Sequence, residues 1–124
     1  MTGPNSFRPS HRLHSGAEFD RVYRQGKRAG DNLFAINALA NAEGHARLGM
    51  SVSYRSVGKA VRRNYIRRLI REVFRHALTE LPPLDYVVTS RPGAREATEP
   101  DIVHSLERLL NDATRRAGRA KVIL

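Results

Sequence analysis

Cysteine and tryptophan are absent from the 124 residues. Without thiols neither a disulfide framework nor a thiolate metal site can form, and a reducing cytoplasm is the default expectation. No apolar run approaches the ~20 residues that a membrane-spanning helix needs, and the stretch up to Gly30 lacks the apolar centre of a secretory signal. Acids are scarce, with 12 Asp and Glu against 22 Lys and Arg, which leaves a formal charge of +10 and a pI near 11.2. Lysine is scarce as well, being confined to Lys27, Lys59 and Lys121. The positive charge is therefore almost all guanidinium, a planar fork suited to gripping phosphate oxygens in pairs. Such a field speeds the approach of a polyanion. Nucleic acid is favoured over an anionic membrane, because the basic helix described below needs its apolar side for a core.

Dedicated catalytic and metal motifs are missing too. Gly58-Lys59 is no nucleotide phosphate loop, since Ser53 and Ala60 stand where glycine and a hydroxyl residue belong. No histidine and carboxylate grouping has zinc spacing. His11 and His14 form the one near histidine pair, and His45, His76 and His104 are scattered, so an acid–base catalytic pair is not expected. No catalytic residue and no metal ligand is assigned to the protein.

What is present punctuates itself clearly. The length suits one domain with a single core. Residues 1–11, broken by Gly3, Pro4, Pro9 and Ser10, read as a flexible arm. Ser15 with Glu18 is a capping box, Phe19, Val22 and Tyr23 share a helix face, and Gly26 sits where the helix should end. Leu33 to Ala40 is an apolar run and Leu48 to Tyr54 alternates, which predicts two paired strands around the Asn41 to Gly44 turn, with Ser51 and Ser53 on one face. A short extra strand fits near Lys27 to Gly30. Beyond a long helix, Pro82 and Pro83 stop the chain, Tyr86 to Val88 forms a brief buried strand, and Thr98 opens a last helix. The expected fold is α+β, one domain over 12–118 with a central sheet packed by helices in the order α-β-β(-β)-α-β-α, and a basic tail at 119–124.

The long helix carries most of the functional signal. Ile66, Leu69, Ile70, Val73, Phe74, Ala77 and Leu78 recur at the spacing of a buried stripe. At about 100° per residue, Asn64, Arg68, Arg71 and Arg75 project on the opposite side. Between Arg55 and Arg75 the basic residues Lys59, Arg62, Arg63, Arg67, Arg68 and Arg71 face a single acid, Glu72. Solvated helix faces usually mix signs; an unbroken guanidinium ladder implies a phosphate backbone across it.

The window from Val57 to Glu72 resembles the arginine- and asparagine-bearing signature helix of the bacterial ribonuclease P protein component. Arg12-Leu13 ahead of Phe19 and Tyr23, the strand from Arg47 to Ser53, and Asp85-Tyr86-Val87-Val88 fall in the family's order, so the resemblance spans roughly 11–112. It implies a fold like the second domain of the fifth small-subunit ribosomal protein, with a left-handed β-α-β crossover. It also implies a cytoplasmic RNA-binding subunit of a tRNA-processing endonuclease, whose catalytic RNA removes the 5′ leader of precursor tRNA with magnesium held by RNA and substrate, the protein alone being inactive. Lys59, Arg62, Arg63, Asn64, Arg67, Arg68, Arg71 and Arg75 would then meet the catalytic RNA. Phe19, Tyr23, Ser51 and Ser53 would line a cleft for the single-stranded leader. No membrane and no obligate protein partner is expected, and the alternative is a plain RNA-binding module such as a ribosomal protein. The chain departs from the family pattern at Tyr65, usually an arginine, at Tyr54-Arg55, usually a lysine pair, and at Asn37, where an aromatic can stand.

Overall fold

The computed structural model describes residues 9–122, with side chains described to residue 118; the expected arm at 1–11 thus falls mostly outside the described residues. Its last part, Pro9–His11, is a 3-10 turn. Helix α1 (Gly16–Gln25) starts as the sequence predicts, with the Ser15 hydroxyl accepting from the Glu18 amide and the Glu18 carboxylate accepting from the Ser15 amide. Gly26 closes it through a bond to the Val22 carbonyl. There the backbone of Ala38 comes so close that a Cβ would lie 2.8 Å from its carbonyl oxygen.

Four strands follow: β1 (Lys27–Gly30), β2 (Phe34–Ala40), β3 (Arg47–Ser51) and β4 (Leu84–Ser90). They lie in the order β1-β2-β4-β3, β4 running antiparallel to β2 and parallel to β3. The expected pairing of β2 with β3 is therefore corrected: β4 lies between them. The physical reason is in β4 itself, whose Tyr86 and Val87 point to opposite faces and are both fully buried. A strand covered on both faces belongs in the middle of a sheet. Ser53 is also relocated. It does not share a strand face with Ser51 but caps a short helix, α2 (Tyr54–Val57), its hydroxyl accepting from the Ser56 amide at 3.1 Å.

The long helix α3 (Ala60–Ala77) and the last helix α4 (Glu99–Val122) cover one sheet face. Phe34, Ile36, Ala38, Leu48, Leu84, Tyr86 and Val88 meet Ile66, Leu69, Ile70, Phe74, Ile102, Leu106 and Leu109 there. The backbone of the expected tail continues α4 as far as Val122. The other sheet face is only partly covered, by α1, where Val22 and Phe19 pack with Leu13, Leu39 and Val87. Alternation along each strand decides which residues look each way. Arg28, Ala35, Asn37, Gly49, Ser51, Val87 and Thr89 share the α1 side.

Two polar networks lock this frame. Arg47 holds the buried Asp85 bidentately, through Nε and Nη2 at 2.8 Å each, and reaches Glu18 through Nη1 at 3.0 Å, while Asn41 donates to Asp85 at 2.7 Å. Asp85 is only 1% exposed, so removing its partner would strand a buried charge. Asp31 accepts from the Leu33 and Phe34 amides and from Ser105 and Arg108 of α4. Burial pushes its carboxyl pKa up, but the Ser105 hydroxyl and the two amides outweigh that and leave it below the ordinary 3.8.

Candidate RNA interface

Because Ile66, Leu69, Ile70 and Phe74 dock α3 on the sheet, its opposite side faces solvent. Arg68, Arg71 and Arg75 line one open groove of about 350 Å³ together with Glu72 and Arg12. Arg12 lies beside β3 through a bridge to Leu48 and was missed in the sequence, where its distance from the helix concealed the contact. Among the described residues Arg68 and Arg71 carry no ion pair, whereas Arg75 is held by Glu72 at 3.0 Å. Two guanidiniums are thus available to an incoming anion, and a third is partly neutralised.

The flanking basic residues have different duties. Arg62 turns inward and donates through Nη2 to the carbonyls of Ala94 and Ala97, at 2.9 and 2.8 Å, which fastens the start of α3 to the segment before α4. Arg63 is half buried, and its Nε, like that of Arg62, is enclosed without a hydrogen-bond partner among the described residues. Arg67, also half buried, donates to Asn64 at 3.3 Å. Lys59 is exposed at the cap position of α3. Tyr65 stands among them with the Arg62 and Arg68 guanidiniums 5.2 and 5.3 Å from its ring centre. Its hydroxyl donates to Glu99 at 2.8 Å, which pushes the phenol pKa up.

The second surface is the sheet face beside α1. Phe19 lies directly over Gly49: a Cβ there would come within 2.6 Å of the ring. Only glycine leaves the space for this aromatic to reach the strand. Tyr23 is 37% exposed, and its hydroxyl lies 3.2 Å from that of Thr89 on β4. Ser51 is beside Thr89 in the register, so the tyrosine rim continues into two strand hydroxyls. Next along the face, Arg28 reaches Asn37 at 3.4 Å. Thr89 and Arg28 were missed because their strands join the face only through long-range pairing. Ser53 stands apart at the α2 cap, where its hydroxyl bonds to that of Ser56, which in turn bonds to that of Ser90.

His11 meets His45 edge to face at 5.0 Å between ring centres, a proximity the sequence does not reveal, and His45 Nε2 is engaged by the Ser10 carbonyl at 2.7 Å. Among the described residues no cluster of three His, Asp or Glu side chains could hold a metal ion, and no helix is long and apolar enough to cross a membrane.

An outward guanidinium groove on one side of a mixed α+β sheet, and an aromatic and hydroxyl-lined face on the other, place the chain among small basic RNA-binding proteins. The family model for Ribonuclease P matches residues 7–114, and the chain belongs to that family, as the protein component of ribonuclease P. It is 38% identical to the ribonuclease P protein component of Methylococcus capsulatus over 112 residues, covering 90% of this chain and 88% of that one. The counterpart from Syntrophobacter fumaroxidans is 40% identical over 108 residues, with 86% and 90% covered. Among solved structures, the Staphylococcus aureus RNase P protein superposes with a TM-score of 0.79 at 36% identity, covering 83% of this chain and 94% of that one. The ribosomal-protein alternative is thereby displaced, and the α+β fold of the sequence reading stands.

Proposed function

We propose that the protein joins the two RNAs of the reaction by using its two surfaces separately. The groove of Arg12, Arg68, Arg71 and Arg75 takes the backbone of the catalytic RNA, with Lys59, Arg63, Asn64 and Arg67 flanking it and Arg62 bracing the helix from within. The sheet face of Phe19, Tyr23, Ser51 and Thr89 takes the single-stranded 5′ leader of precursor tRNA. Unpaired nucleotides offer π-faces and a backbone, which aromatic and hydroxyl groups hold without reading sequence. A processor of many precursors needs that tolerance. Both RNAs are polyanions, so a body of charge +10 offsets part of the repulsion between them. Because only precursor has a leader, substrate is favoured over product.

Bond cleavage in this reading belongs to the RNA, with magnesium held by the RNA and substrate. The protein supplies binding and alignment. The observation that carries the proposal is that the Arg68 and Arg71 guanidiniums, without an ion pair among the described residues, line a groove on the outward side of α3, while the exposed Tyr23 rim lies on the sheet face beside α1. The test is cleavage of precursor tRNA at low magnesium by the catalytic RNA alone, the protein alone and both. Activity only with both supports the proposal. Cleavage by the protein alone, or no effect of the protein at any magnesium concentration, overturns it.

A further inference from the structure

Tyr65 sits inside the arginine signature at a position where the family resemblance leads one to expect another arginine, and its surroundings give it a defined task. One turn before it, Arg62 is fixed through Nη2 by two carbonyls, 2.9 and 2.8 Å away. One turn after it, Arg68 is exposed, without an ion pair among the described residues, and lines the groove. Both guanidiniums lie over the phenol ring, at 5.2 and 5.3 Å from its centre. The ring cannot swing freely, because its hydroxyl is bonded at 2.8 Å to Glu99 in the first turn of α4.

A long arginine side chain loses rotamer freedom when it grips a phosphate. A ring anchored at its far end and braced by a fixed cation removes part of that loss in advance. We propose that Tyr65 is a positioning residue for RNA binding: anchored by Glu99, it holds the Arg68 guanidinium in the groove in the orientation that meets the RNA backbone. Tyr65 itself is not the platform for a base, since its ring already carries the two guanidiniums. The inference rests on the reading of the α3 groove as the catalytic-RNA surface.

A double-mutant cycle on the full chain tests it, with equilibrium binding to the catalytic RNA as the readout. Tyr65→Leu in the native background should weaken binding roughly two- to fivefold, the range expected for one exposed cation–π contact. In the Arg68→Ala background the same change should cost nothing further. Tyr65→Phe, which keeps the ring but loses the bond to Glu99, should fall between the native protein and the leucine variant, and this comparison also serves if the leucine variant is poorly folded. Helical content and thermal midpoint are measured for every variant. If Arg68→Ala weakens binding but Tyr65→Leu costs the same factor in both backgrounds, Tyr65 acts independently of Arg68 and the inference is wrong, while the groove reading survives. If Arg68→Ala has no effect on binding, the groove reading falls and the inference falls with it.

Discussion

Replacing Arg68 and Arg71 together by alanine separates a phosphate-binding ladder from a merely solvated helix face. Both side chains are exposed in the groove of α3, neither has an ion-pair partner among the described residues, and neither supports the core. The fold should hardly notice, with changes within about 0.5 kcal/mol, as for other exposed positions away from special features. Binding to the catalytic RNA should change in two linked ways. Each phosphate contact contributes about 0.7 to 0.9 to the slope of log K against log salt, so losing two flattens the slope by about 1.4 to 1.8. Across a fourfold rise in salt, from ~50 to ~200 mM, the affinity deficit of the variant should therefore shrink about seven- to twelvefold. Titrations over that range by filter binding or fluorescence give the slope directly. Arg62→Ala is the internal contrast: its guanidinium serves the Ala94 and Ala97 carbonyls, so it should lower the thermal midpoint and leave the salt slope alone. Arg75 should flatten the slope less than Arg68, because Glu72 already neutralises part of its charge. A double variant with native affinity and native slope would refute the assignment of the groove.

Gly49→Ala should destabilise the protein by about 1 to 3 kcal/mol, the usual cost of overpacking, because the new methyl would meet Phe19 at 2.6 Å and Leu13 at 3.1 Å; unchanged denaturant stability would mean that Phe19 is not seated on the strand. Asp31 has a folded-state pKa below 3.8, so its hydrogen-bonded carboxylate stabilises the protein above that value, and the benefit is lost as pH falls through the depressed folded value. The stability gap between native protein and Asp31→Asn should accordingly be constant near neutrality and narrow in acid, as followed by unfolding at stepped pH. A gap that stayed constant to pH about 2 would show that ionisation of Asp31 contributes nothing.

Local features were legible in the sequence where one segment decides its own structure. The Ser15 and Glu18 capping box, the stripe from Ile66 to Phe74 and the outward side of α3 all follow from spacing within a few turns. Strand order did not follow, because Asn41 to Gly44 signals a turn without saying whether the strands beside it pair. The answer lay in β4, some forty residues away, whose two buried faces claim the position between them. Charge count was equally incomplete as a guide to the site. Arg62 and Arg68 look equivalent in the sequence, yet one is spent on backbone carbonyls and the other lines the groove. Ser53 continues the alternation of β3 on paper, but the chain turns into α2 there and its hydroxyl caps that helix. Arg12 and Thr89 join the two surfaces only through the sheet.

The division of labour between the two surfaces is tested most directly by one ratio, the affinity of the assembled holoenzyme for precursor tRNA over that for mature tRNA, measured with the native protein and with Tyr23→Leu at fixed salt and magnesium. Leucine retains much of the apolar contact of the ring beside α1 but removes the aromatic face and the hydroxyl near Thr89. If Tyr23 stacks on the leader, affinity for precursor should fall by about 1 to 3 kcal/mol, the range for one stacked base. Affinity for mature tRNA, which has no leader, should stay put, whereas misfolding or weakened binding to the catalytic RNA would strike both ligands alike. A lower precursor-to-mature ratio with native helical content is the expected result. An unchanged ratio would contradict the assignment of the sheet face to the leader.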